Sequence, residues 1–274
     1  MRFLSVLAAL LFAWPAAAQP ARDWAAIPGP SPGPARSIGG TTLGCLAGAE
    51  MLPPEGPGWQ AVRLSRNRNW GHPQTVRFVA SLGARARQAG LPDLLVGDLG
   101  QPRGGPLPFG HASHQSGLDA DIWLDVGPRG ALTRAAREQL DVPSLVAEDG
   151  TGVDPRRFTA GHARLIRLAA ETPGVERILV NHAIKRSLCA VHAGEPWLHV
   201  LRPWRGHDSH MHVRLRCPAD SPDCRPGPPI PPGDGCDASL DWWLTEAGRR
   251  PPPRGPAGPP PALPGACAAV FVAR

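Results

Sequence analysis

The 274-residue chain has no tyrosine and a single lysine, Lys185, so its 29 basic side chains are almost all arginine. The lone lysine already excludes one chemistry. A serine acyl-enzyme of the Ser-x-x-Lys type needs serine three residues before lysine, and that position holds His182. Equally absent is HExxH, the helical zinc signature of common metallopeptidases; the one GxSxG string, Gly29-Pro-Ser-Pro-Gly33, falls in a proline-rich run and not at the strand-to-helix turn that presents a nucleophilic serine. The Gly-rich stretch 104–110 contains neither GKS nor GxGxxG, which leaves phosphate cradling unsupported. No CxxC pair occurs, which argues against a cysteine zinc ribbon. After the first residues no apolar run approaches the ~20 residues that a membrane span needs.

Proline and glycine are abundant, at 35 and 32 residues, a level at which low complexity becomes a concern. Disorder throughout is excluded because 17 of the prolines fall in three segments, 28–34, 226–232 and 251–264, and 42% of the chain is hydrophobic. One domain of about 200 residues with irregular edges is the expectation. Met1-Arg2-Phe3, the apolar stretch Leu4–Ala13 and the small residues Ala16-Ala17-Ala18 form a secretory signal peptide, residues 1–18. The mature chain is therefore read as exported to the periplasm. Six cysteines in an oxidising compartment imply three disulfides, with the pairing open. The net charge of +6 is spread without a basic run; it suits an anionic matrix better than nucleic acid.

Helical spacing predicts helices over 74–88, 134–140, 159–170, 183–191 and 239–247. Strands are expected at 94–99, 118–125, 177–181 and 210–215. The 19–40 segment reads as an extended lead-in, and 249–264 as polyproline-like wrapping. In 118–125 the period of two puts Asp119, Asp121 and Trp123 on one face. In 210–215 it points Met211, Val213 and Leu215 to the core, and His210, His212 and Arg214 the other way.

Five of the ten histidines lie in two short stretches, His111-Ala-Ser-His114 and His207-Asp-Ser-His210-Met-His212. His210 and His212 share a strand face, and His114 precedes Asp121 by seven residues in a Gly-flanked loop. Two imidazoles and one carboxylate are the donor set of a tetrahedral Zn²⁺ that keeps a fourth position for water, a catalytic arrangement. Asp119 competes with Asp121 as ligand, being on the same face. His72, His162, His182, His192 and His199 read as structural or solvated. Arg214 is open to two readings, a charged strand edge or a binder of substrate carboxylates through its bidentate fork.

These residues carry a resemblance. Gly110-His-Ala-Ser-His-Gln-Ser-Gly-Leu-Asp-Ala-Asp-Ile122, Ala183-Ile-Lys185, Arg202-Pro-Trp204 and His210-Met-His-Val-Arg-Leu-Arg-Cys-Pro-Ala-Asp220 resemble the penicillin-insensitive murein endopeptidases. These are exported zinc peptidases related to lysostaphin-type and D-alanyl-D-alanine metallopeptidases and to the hedgehog domain. The resemblance implies an α+β fold: a small antiparallel sheet carrying the zinc site, flanked by helices, with irregular terminal segments tied by disulfides. It implies a metallopeptidase domain over 19–248 and a tail, 249–274, tethered through Cys267. It implies zinc ligands His114, Asp121 and His212, with His111 near the metal and able to ligate it in a differently occupied site. His210 corresponds to a general base or transition-state stabiliser, and His207 to a second active-site histidine. The implied pairings are Cys45–Cys267, Cys189–Cys236 and Cys217–Cys224. An accessory metal site maps to Asp149, but Gly152 stands at its companion histidine position. The implied substrate is the D-alanyl to meso-diaminopimelyl cross-link of peptidoglycan. A zinc D-alanyl-D-alanine carboxypeptidase and a zinc-stabilised cell-wall binding module without turnover are the alternative functions.

Overall fold

A computed structural model describes residues 20–251 and 261–274. The expected signal peptide and residues 252–260 of the proline-rich tail lie outside the described residues. The architecture is α+β. Its main sheet has seven strands in the spatial order Leu201–Pro203, Val175–Val180, His210–Leu215, Asp119–Trp123, Leu94–Val96, Trp59–Ala61 and Glu55–Gly56. The His210–Leu215 strand runs antiparallel to both its neighbours. The sheet is larger than the small antiparallel one expected, and it is mixed. Helix His182–His192 links Val175–Val180 to Leu201–Pro203, and helix Pro73–Gln88 links Trp59–Ala61 to Leu94–Val96. A helical crossover returns the chain in the same direction, so both pairs are parallel.

Alternation along the central strands separates core from site. Ala120, Ile122, Met211, Val213 and Leu215 are buried on one face. Against that core pack Val76, Val79, Leu82 and Ala86 of helix Pro73–Gln88, together with Leu165, Ile166 and Ala169 of helix Ala160–Ala170. The strand expected over 94–99 ends at Val96; Gly97 and Asp98 still bond to the Asp121 backbone, after which the chain turns and the Leu99 N–H donates to the Arg68 carbonyl. The single helix expected over 239–247 is two, Ala238–Leu244 and Glu246–Arg249. Thr245 leaves the helical conformation at ψ 161° and its hydroxyl caps the second helix through Gly248 N–H.

The terminal segments are more regular than expected. The lead-in contains a short helix, Ala21–Ala25, and a strand, Arg36–Gly40, paired antiparallel with Leu43–Ala47. A C-terminal helix, Ala266–Val272, docks there through the Cys45–Cys267 disulfide. Trp24, Ile38, Cys45, Cys267 and Val270 form a second small core. Arg103 holds it by donating to the carbonyls of Gly29, Val270 and Phe271. The other bridges are Cys189–Cys236 and Cys217–Cys224, the pairing the resemblance implied. Among the described residues no helix is long and apolar enough to cross a membrane.

Lys185 is fully buried in helix His182–His192, where its ammonium donates to the carbonyls of Leu198 and Asp234. Burial, reinforced by the Arg202 charge, pushes its pKa down to about 8. Unfolded, the same group titrates near ~10.4, so between those values the unfolded chain binds a proton that the folded chain lacks. The Lys185 contribution to stability therefore rises with pH through that window. His212, held protonated up to about 9, titrates in the same window with the opposite sign, so the Lys185 contribution is the part of the pH response that its substitution removes. From pH 8 to pH 10 the urea midpoint of the unsubstituted protein should gain relative to that of Lys185→Met; the same pH response in both proteins counts against the assignment.

Candidate metal centre

The register of the central antiparallel pair assembles the site. His212 stands opposite Asp121, Arg214 opposite Asp119 and His210 opposite Trp123. Cross-strand partners project to one face, so the polar face of one strand meets that of the other. His212 Nδ1 lies 3.0 Å from Asp121 Oδ1, and its Nε2 3.4 Å from Asp119 Oδ1. Arg214 grips Asp119 with Nε at 2.8 Å and Nη2 at 3.3 Å. That internal pair occupies the fork that sequence reading had offered to a substrate carboxylate.

The loop between Leu94–Val96 and Asp119–Trp123 supplies the other imidazoles. His114 sits in the left-handed region at φ 67°, and its backbone N–H donates to Asp119 Oδ2 at 2.8 Å. Its ring Nδ1 is 2.8 Å from the Leu99 carbonyl, which fixes the proton on Nδ1. Nε2 then carries the lone pair; it is buried without a hydrogen-bond partner, 3.4 Å from Asp121 Oδ1. Gly117 closes the loop at φ 73°, where an added Cβ would come within 2.4 Å of Leu46 Cδ2. His111 Nε2 lies 3.1 Å from Asp98 Oδ2 and 3.5 Å from Asp121 Oδ2.

His210 Nε2 is 3.9 Å from Asp121 Oδ2, and its buried Nδ1 has no partner. His207, at φ 52°, donates Nδ1–H to the Arg205 carbonyl at 2.9 Å, and its ring centre lies 5.0 Å from that of His210. The structure thus brings together His111, His114, Asp121, His207, His210 and His212, with Asp119 beneath them. Asp149 is engaged elsewhere: its carboxylate caps a turn through Thr151 N–H and Oγ1. The remaining histidines make local contacts. His72 and His162 cap helices, while His182, His192 and His199 bond to Gly150, Glu195 and Gly233.

Burial alone would raise the pKa of Asp119 and Asp121. The charges of His212 and Arg214 hold Asp119 far below the usual carboxylate range, and His114 and His210 do the same for Asp121. Burial opposes charge on His212, yet the two carboxylates, Asp119 foremost, raise it to about 9. His207 goes the other way, to about 4, through burial and the neighbouring imidazoles. A nest that holds a proton so firmly on His212 is one in which a cation is favoured.

Two triads have ligand atoms within 4.8 Å of one another, His111–His114–Asp121 and His114–Asp119–His212. His114 belongs to both. Asp119, however, is already gripped by Arg214 and the His114 N–H, whereas Asp121 has only imidazoles around it. The chemistry of the donor set therefore fits a borderline-soft divalent ion on Asp121, and the orphaned Nε2 of His114 fits the same role.

Sequence reading missed Asp98, whose Oδ2 receives Arg66 at 3.3 Å, Arg68 at 2.9 Å and His111 at 3.1 Å. Burial would raise this carboxyl, but His111 and Arg68 bring it down to about 2. The available signal was a charge inside the apolar run Leu94-Leu-Val-Gly-Asp-Leu99, since a buried unpaired carboxylate is rare.

Fold and site together define an α+β protein with a buried His/Asp nest of metal-ligand composition at the centre of its sheet. A family model described as penicillin-insensitive murein endopeptidase matches residues 37–272. A Haemophilus influenzae penicillin-insensitive murein endopeptidase is 47% identical over 228 residues, covering 81% of this chain and 79% of that protein. The corresponding Salmonella arizonae protein is 44% identical over 269 residues, 95% of this chain and 96% of its own. The chain belongs to the penicillin-insensitive murein endopeptidase family.

The two aspartates should separate by substitution. Asp121→Asn is expected to weaken zinc binding at least ~10-fold with the fold intact, while Asp119→Asn should lower the melting temperature, because Arg214 loses its buried partner. Zinc titration and thermal unfolding of both variants check this; full zinc affinity in Asp121→Asn would contradict it.

Proposed function

We propose that the chain is a zinc-dependent endopeptidase that hydrolyses the D-alanyl to meso-diaminopimelyl cross-links of peptidoglycan. The observation that carries the reading is the buried, unpartnered Nε2 of His114 aimed at a carboxylate surrounded only by imidazoles. Family membership and the printed names of the relatives support the substrate. His114, Asp121 and His212 would hold the ion, with His111 at its edge. When bound, Zn²⁺ supplies Lewis-acid polarisation of the scissile carbonyl and acidifies a water.

The protein's own groups do the rest. Burial is the leading influence that lowers the pKa of His210, which favours a neutral ring able to take a proton and return it to the leaving amine. His207, its Nδ1–H fixed on Arg205, lies beside it as the second active-site histidine. No side chain forms a covalent intermediate. Because β-lactams acylate a serine nucleophile and this chain lacks Ser-x-x-Lys, the activity is indifferent to penicillin. The enzyme works in the periplasm after removal of residues 1–18, with the catalytic domain over 19–248 and the 249–274 tail tethered by Cys267.

Digestion of purified cross-linked muropeptides, read by mass, tests the reading. Cross-linked dimers should become monomers, and a strong chelator should abolish the reaction. Dimers that persist while stems shorten by one D-alanine would indicate a carboxypeptidase; retention without product would indicate a binding module. His212→Ala should lose both zinc and turnover. His210→Ala should keep its zinc and fall by about 10²–10⁴-fold, the range for a missing general acid or base.

A further inference from the structure

The chain has nine tryptophans, and three of them gather beside the His207 loop. Trp24, Trp59 and Trp197 are buried, but Trp204 and Trp242 are each 50% exposed. The Trp204 and Trp243 ring centres are 5.8 Å apart, and those of Trp243 and Trp242 are 5.1 Å apart. Arg205 lies against this group, its guanidinium carbon 5.2 Å from the Trp243 ring centre and 5.5 Å from that of Trp242, and donates to the Ala247 carbonyl. The arginine thus braces two of the rings by cation–π contact.

The platform is fixed and close to the site. Trp204 follows strand Leu201–Pro203, and its backbone N–H donates to the carbonyl of Val180, the end of the neighbouring strand. Asn181 then holds the loop through the carbonyls of Gly206 and His207. Helix Ala238–Leu244, which carries Trp242 and Trp243, is capped by Asp237 and tied down by the Cys189–Cys236 bridge just before it. Trp204 and His207 are three peptide steps apart, so their Cα atoms are at most about 11 Å apart. The Arg205 carbonyl itself holds the His207 ring.

We propose that Trp204, Trp242 and Trp243 form a saccharide-binding platform that seats the glycan strand from which the cross-linked stem peptides hang. The inference rests on the murein substrate proposed above. Exposed indole faces carry a negative quadrupole and an apolar surface, to which the weakly positive C–H face of a pyranose ring is complementary. An anionic stem peptide would call for a free guanidinium, whereas Arg205 lies against two indoles. Continuity with the histidine cluster selects the sugar: an extended stem spans at most about 3.3–3.6 Å per residue, so a few residues carry the chain from the scissile bond to the glycan.

The test compares two substrates and one non-hydrolysed probe. Cross-linked disaccharide-peptide dimers and the same dimers stripped of sugar are digested by the full-length mature protein and by Trp204→Ala, Trp242→Ala and the double variant. The double variant should lose at least ~10-fold in kcat/KM on sugar-bearing dimers and less than ~2-fold on sugar-free ones. Chitotetraose should bind the parent protein by calorimetry and not the double variant. Chitotetraose binding without cleavage of either dimer would support the platform and sink the hydrolytic reading. Equal losses on both dimers, no loss on either, or a changed sedimentation coefficient, the mark of an interface between copies, would overturn the platform.

Discussion

Asp121 is buried among four imidazoles, and among the described residues no guanidinium comes within ion-pair reach of it. Its two neighbouring carboxylates are differently placed, Asp119 being paired with Arg214 and Asp98 with Arg68. A carboxylate removed from water must find a cation or a set of donors, or its burial costs several kcal/mol. Here the cation is a proton shared with the imidazoles, mainly on His212, or a metal ion that competes for the same place. Metal binding at such a site releases that proton, since histidine ligates only when neutral.

The rest of the fold keeps that imbalance in position. Cross-strand register sets His212 over Asp121, and no side-chain adjustment could restore the pairing after a slip of one residue. His114 depends on a less regular support. Its loop holds a left-handed histidine, a conformation that persists only where neighbours over-determine it. Those neighbours come from the terminal segments: Gln115 is bonded to Thr41, Thr42 and Gly44 at the 41–44 turn, and Leu46 N–H to the Arg103 carbonyl. The Cys45–Cys267 bridge and the C-terminal helix stiffen the same hairpin. The N- and C-terminal segments therefore brace a ligand loop far from them in sequence.

Much of this was legible in the residues. Period-two alternation in 118–125 and 210–215 located both site strands and their facing sides, because one face had to be apolar. The longer helices emerged within a residue or two of their bounds, their apolar stripes being strong. Short strands such as Trp59–Ala61 and Leu201–Pro203 carry too few residues for a period, and with them went the parallel flanks of the sheet. Arg214 misled because a strand-face arginine looks the same in sequence whether it faces solvent or a carboxylate across the strand. Asp98 was hidden because its partners, Arg66, Arg68 and His111, are remote in the chain.

The central claim is that Asp121, faced by imidazoles and by no guanidinium, is where a divalent ion sits. Anomalous diffraction at the zinc edge, from crystals of protein purified without chelator, tests it directly. The account predicts one strong peak within about 2.0–2.2 Å of His114 Nε2 and of an Asp121 carboxylate oxygen, with His212 also in the coordination shell. A peak ligated by Asp119 in place of Asp121, or no peak at stoichiometric zinc, would contradict it.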